Sequence, residues 1–196
     1  MSSLDPDHFP LQVLNYILGG AFNSRINMSL REDKGYTYGA HTSFEGGLRP
    51  GPFVAATAVH TRFTRESVVE LLREIEGIRA GVREDELAFA RQAMTQAALR
   101  QYEPASSRLQ LADNVSKYGW PDDYPERRLA RLDTLTTSDL HALAERHVRP
   151  EALCILVAGD AEQVGPGLAD LALGPPVELD IDGAPLAPAG RASASG

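Results

Sequence analysis

An α+β fold, with helices packed on a mainly antiparallel sheet, is what the 196-residue sequence predicts. Two segments, near residues 36–44 and 53–60, carry strand-like patterns and are joined by a turn rich in glycine and proline. A run of helical patterns follows, with one more strand pattern only after residue 151. The regular alternation of strand and helix that builds a doubly wound sheet is therefore missing.

Leu11, Leu14 and Leu18, with Val13 and Ile17 beside them, recur at helical spacing and predict a helix ending near Gly19, its apolar face on the sheet. Ser24 can cap a second, short basic helix, and Gly35 can release the chain into a strand from Tyr36 to Phe44. In that strand Tyr36, Tyr38, Ala40, Thr42 and Phe44 alternate with more polar residues and form the more apolar face. After the turn at residues 45–52, Phe53 to His60 is apolar on both sides. Thr64 can cap a helix striped by Val68, Leu71, Leu72, Ile75 and Ile78 and ending at Gly81.

A longer helix is expected over 84–102, with Leu87, Ala90, Met94 and Ala97 inward, and Pro104 interrupts it. Ser106 or Ser107 starts the next helix, which reaches Tyr118. Further helices are expected over 125–132 and from Thr137 or Ser138 to Val148. Residues 152–158 form the clearest strand pattern, and Gly159-Asp160 turns into a last helix over 161–172. The expected organisation is one domain over residues 1–173 and a flexible tail over 174–196, where Pro, Ala, Gly and Ser dominate.

Hydrophobic residues make up 43% of the chain, enough for one substantial core. Lys and Arg number 19 against 27 Asp and Glu, a net charge of −8 that disfavours nucleic acid and anionic membranes as partners. No run of about 18 apolar residues marks a membrane span. The Met-Ser-Ser-Leu-Asp-Pro-Asp-His opening lacks the basic and apolar regions of a signal peptide. That points to the cytoplasm, or to the periplasm if the chain is a truncated piece; the compartment stays open. Cys154, the one cysteine, excludes an internal disulfide framework and is expected to be a buried core thiol.

The most informative segment runs from Gly19 to Gly39. It sets Arg31 late in a helix and Tyr38 early in a strand. If the turn at Gly35 folds the strand back beside the helix end, a guanidinium and a phenol can face one cleft. A peptide carbonyl under attack gathers negative charge on oxygen, and two fixed donors stabilise it. Equally, Arg31 can complement the negative end of its helix dipole and Tyr38 can be an ordinary strand aromatic.

Leu30-Arg31-Glu32-Asp33-Lys34-Gly35-Tyr36-Thr37-Tyr38, preceded by Gly19-Gly20 and Phe22-x-Ser24-Arg25, resembles the C-terminal-half signature of the pitrilysin and insulinase-type zinc peptidases. That family includes mitochondrial processing peptidase and the core subunits of respiratory complex III. The resemblance extends over residues 6–172 in the order and character of the elements. It implies a sheet flanked by helices, in a half that has lost its metal. It also implies that Arg31 and Tyr38, at the family's seven-residue spacing, bind substrate and act as auxiliary catalytic groups at a partner's zinc. A family half opens with a strand-bearing segment ahead of its first helix. Here the opening strands are expected to be lacking, through N-terminal truncation or completion by another chain, with unpaired sheet edges as a consequence.

Zinc hydrolysis requires three protein ligands and a general base around one metal-bound water. Among His8, His41, His60, His141 and His147 no pair forms the family's His-x-x-Glu-His motif. In a helix the six-residue step from His141 to His147 turns the rings through about 600°, onto different faces, and both are expected to be solvated or capping. His41 and His60 could approach across a hairpin. The acidic groups Glu84-Asp85-Glu86 and Asp122-Asp123 are expected to be solvated faces at helix starts. No cofactor is expected in this chain, and zinc is expected in a homologous partner domain or subunit. The leading expectation is the metal-free half of a peptidase acting on polypeptide; the alternative is a non-catalytic structural or assembly subunit of the same family. An independently catalytic hydrolase is disfavoured because no complete site can be assembled.

Overall fold

A computed structural model of the protein describes residues 1–171 and 173–186. Helix α1 (His8–Asn15) continues into a wider, π-helical turn, Tyr16–Gly20, before the chain becomes extended at Ala21. Its predicted stripe is the deepest part of the core: Leu11, Val13, Leu14 and Leu18 have no exposed surface. Helix α2 (Arg25–Asn27) likewise widens into a π-helical stretch, Met28–Asp33, where the Lys34 N–H reaches back five residues to the Ser29 carbonyl at 3.2 Å. Ser24 has the extended N-cap backbone expected of it, but its buried hydroxyl makes no capping bond; Ser24 contributes its carbonyl to the Met28 N–H instead.

Gly35, at φ 64°, turns the chain into β1 (Thr37–Gly46), which pairs antiparallel with β2 (Pro50–Val59). The face formed by Ala40, Thr42 and Phe44 lies on α1 and α2, with Ala40 and Thr42 buried. The α1–β1 crossing is close because residue 19 is glycine: a Cβ there would sit 2.8 Å from the Thr42 backbone nitrogen. Asn15 pins the same crossing, its Nδ2 donating to the Thr42 carbonyl at 2.9 Å while Thr42 Oγ1 donates to Asn15 Oδ1 at 2.8 Å.

Helix α3 (Thr64–Arg79) follows a single 3₁₀ turn, Thr61–Phe63. Thr64 is its first helical residue rather than its cap, and its hydroxyl donates to the Thr61 carbonyl at 2.8 Å. Helix α4 (Glu84–Gln101) buries Leu87 and Ala90, but its second half leaves the core: Ala97 is exposed, not inward, and Leu99 is exposed beyond it. Helix α5 (Ala105–Tyr118) buries no residue and stops at Gly119, again at φ 64°. Helices α6 (Tyr124–Thr134) and α7 (Thr137–His147) return to the core through Leu132, Leu140, Leu143 and Ala144. Helix α8 (Ala161–Ala169) packs on α3.

The strand expected at 152–158 does not form. Among the described residues no backbone ladder joins this run; Leu156 is 81% exposed, and Cys154 is exposed rather than a core thiol. The apolar composition supplies strand propensity, but a strand exists only against a bonded neighbour. The neighbour here would be β2, which faces residues 153–159 across an apolar groove of about 700 Å³ floored by Val68, Leu71, Leu72 and Ile75 of α3. In the expected tail, the Asp180–Ala184 turn is closed by an Asp180 N–H···O=C Ala184 bond of 2.9 Å; residues 187–196 lie outside the described residues. No described helix is long and apolar enough to cross a membrane.

Candidate functional site

The turn at Gly35 lays β1 back along the helix that precedes it. Tyr36 N–H donates to the Leu30 carbonyl at 2.9 Å, and Ala40 N–H donates to Asn27 Oδ1 at 2.8 Å. Tyr38 lies between these two clamps, and Arg31 follows directly on Leu30. The two residues thus sit on adjacent backbone segments, but no hydrogen bond joins their side chains. The Arg31 guanidinium lies over the Phe22 ring, 4.2 Å from its centroid, and 3.5 Å from Glu32 Oε1. Phe22 is itself well exposed, so the pair is a solvent-facing cation–π contact.

Tyr38 does not share the apolar face that the alternation assigned to it. Thr37 pairs with Val59 and Ala40 with Thr57, three steps on β1 against two on β2, so the strand bulges at Tyr38-Gly39. The extra residue turns Tyr38 outward to 100% exposure, while Thr37 before it stays half-buried. Bulges re-aim single side chains in this way and are frequent beside active sites. The signal in the sequence is Gly39, a glycine inside a strand pattern.

Behind this surface the motif helix is anchored to the start of α4. Arg25 Nε and Nη2 bond the two Glu86 carboxylate oxygens at 2.7 and 2.6 Å, and Nη2 also donates to the Gly81 carbonyl at 2.9 Å. The carboxylate is almost covered, 11% exposed, and is not the solvated helix-start acid expected of it. Burial pushes its pKa up, but hydrogen bonds from Arg25 and the Arg83 backbone, with the charges of both arginines, outweigh that and hold it below the ordinary glutamate value. A second network joins Glu70 to Ser29, Arg73 and Lys34 beside the helix. Sequence spacing alone gives no sign of these pairings, whose partners, the local Arg73 contact aside, are 36 to 61 residues apart.

The histidines are dispersed. His41 lies opposite Ala56 while the His60 N–H donates to the Tyr36 carbonyl, so the two do not approach across the hairpin. His147 Nε2 contacts Asp7 at 2.9 Å and ties α7 to the start of α1; His141 lies 3.8 Å from Glu145. Among the described residues no three His, Cys, Asp or Glu side chains gather to hold a metal ion, and the donor set does not fit zinc.

The family model described as the peptidase M16 inactive domain matches residues 1–94, a span that contains the whole motif from Gly19 to Gly39. Over residues 1–94 the chain is similar to the peptidase M16 inactive domain. No curated protein matches the chain. Among solved structures, the peptidase M16 inactive domain from Pseudomonas fluorescens is 22% identical with a TM-score of 0.68, over 76% of this chain and 36% of its own. A protease from Helicobacter pylori is 16% identical with a TM-score of 0.65, over 76% and 36%. A candidate zinc protease from Bordetella pertussis Tohama I is 16% identical with a TM-score of 0.57, over 76% and 83%. At these identities the likeness is one of fold, and the chain spans about a third of the length of the first two. The matched residues hold the helix–turn–strand segment from Gly19 to Gly39, on a sheet backed by helices.

Proposed function

We propose that this chain is an M16 inactive domain, the metal-free half of a zinc peptidase, and handles an extended polypeptide whose scissile bond lies at a partner's metal. The observation that supports the reading is the exposure of Tyr38, complete on a strand that runs back beside the helix bearing Arg31. A phenol and a guanidinium supply only donors to a carbonyl oxygen in their ordinary states, so the pair suits a developing oxyanion. Phe22 beneath Arg31 limits where the guanidinium can swing.

Zinc is assigned on this reading to a homologous partner domain or subunit, in keeping with the likeness to the peptidase M16 inactive domain. The names of the similar structures, a protease and a candidate zinc protease, agree with that context. In a complex with the zinc-bearing half, Arg31→Ala or Tyr38→Phe should lower kcat by about 10²–10³-fold, the usual cost of one oxyanion donor. Unchanged rates in both variants would overturn the assignment and favour a structural subunit.

A further inference from the structure

The alternation of β1 favours an inward Tyr38, yet the residue stands fully in solvent. Ala40, Thr42 and Phe44 occupy the core-facing side, and an unbroken strand would place Tyr38 there too. What opposes this is a set of side-chain hydrogen bonds confined to the bulge. Thr37 Oγ1 lies 2.6 Å from the Ala58 carbonyl, 2.8 Å from the Gly39 carbonyl and 3.1 Å from the Gly39 N–H. Thr57 Oγ1 lies 3.1 Å from the Gly39 carbonyl and 3.0 Å from Thr37 Oγ1.

Each hydroxyl has one proton, and the geometry accommodates a complete assignment. Thr37 donates to the Ala58 carbonyl and accepts from the Gly39 N–H. Thr57 donates to the Gly39 carbonyl. The N–H and carbonyl of Gly39, which a bulge takes out of the regular ladder, are thereby satisfied by two side chains facing each other across the strands. We propose that Thr37 and Thr57 are positioning residues whose hydroxyls hold the bulge and so present Tyr38 to solvent. Their relevance to peptide hydrolysis rests on the reading of Tyr38 given above; the geometric claim does not.

The isolated chain is enough for the test. Tyr38 is the one fully exposed tyrosine of six, so it should nitrate first with tetranitromethane, as read by peptide mass spectrometry. Thr57→Val should slow nitration of Tyr38 by about fivefold, the population shift that one net hydrogen bond supports, while Thr57→Ser restores it. A folded Thr57→Val protein with unchanged Tyr38 nitration overturns the proposal. A wild-type measurement guards against a variant that fails to fold: the Gly39 amide should be protected from hydrogen exchange although the residue is exposed, and exchange at the free-peptide rate overturns the proposal as well. If nitration and exchange follow expectation while Tyr38→Phe leaves the peptidase rate unchanged, the bulge device stands and the functional reading falls.

Discussion

Gly19 and Gly35 bracket the motif helix, and each is glycine for a different physical reason. At Gly19 the backbone conformation is ordinary, but the space is taken by Thr42 of β1. At Gly35 nothing lies within 4 Å of where a Cβ would sit, but φ is 64°. Gly19→Ala should therefore act as overpacking and cost about 1–3 kcal/mol, since either the helix or the strand must shift. Gly35→Ala should cost about 1–2 kcal/mol through left-handed strain alone, and Gly35→Asn less, because asparagine tolerates that region. Urea denaturation of the three variants separates the cases: a Gly35→Asn loss as large as that of Gly19→Ala would argue against this division. Gly19 has the further effect of fixing how near α1 lies to the strand that carries Tyr38.

At the scale of elements, the helices are legible in the sequence because their apolar stripes repeat with the helical period and end at glycine or proline. Gly35, Gly81 and Gly119 all carry positive φ where the pattern demands a stop or turn. Three features are hidden for reasons that are equally physical. Strict alternation assigns an inward face to β1, and one bulge at Tyr38-Gly39 reverses it for a single residue. The run at 152–158 has strand composition without a bonded neighbour. Glu86 has the position of a solvated helix-start acid, whereas its partner Arg25 is 61 residues away. That pair makes a prediction about motif stability. Removing Arg25 takes away the two-pronged partner of a covered carboxylate and leaves it only the Arg83 contacts, so Arg25→Met should cost about 2–3 kcal/mol by chemical denaturation. The sign of the pH effect follows from the depressed pKa of Glu86. Its contribution is present above the ordinary value of 4.5 and is lost as pH falls below it through the folded value. Glu86→Gln should accordingly flatten the decline in melting temperature as the pH is lowered through the carboxylate range; an acid limb identical to wild type would show that this carboxylate does not carry it.

At the scale of the whole molecule, the described residues have a weak flank along β2. The α+β class is predictable from element order, but the number of paired strands is not, because pairing depends on which backbones meet. The described sheet has two strands. The outer edge of β2 and the unladdered run at 153–158 border the same apolar groove, with Ile155 and Leu156 exposed beside it. Unpaired backbone edges next to exposed aliphatic side chains are templates for intermolecular pairing. Copies of this chain should therefore associate through that flank. Sedimentation velocity over rising concentration should show a weight-average mass climbing above the 21.2 kDa of the monomer. Leu156→Lys should reduce the association, since a charge at a docking edge must be desolvated when another strand arrives. The same substitution should leave monomer stability within about 0.5 kcal/mol, as expected at a position so open to solvent. A wild-type chain that remains monomeric at all concentrations, with a sharp melt, would mean that the groove walls are adequately satisfied by water and that the flank does not drive self-association.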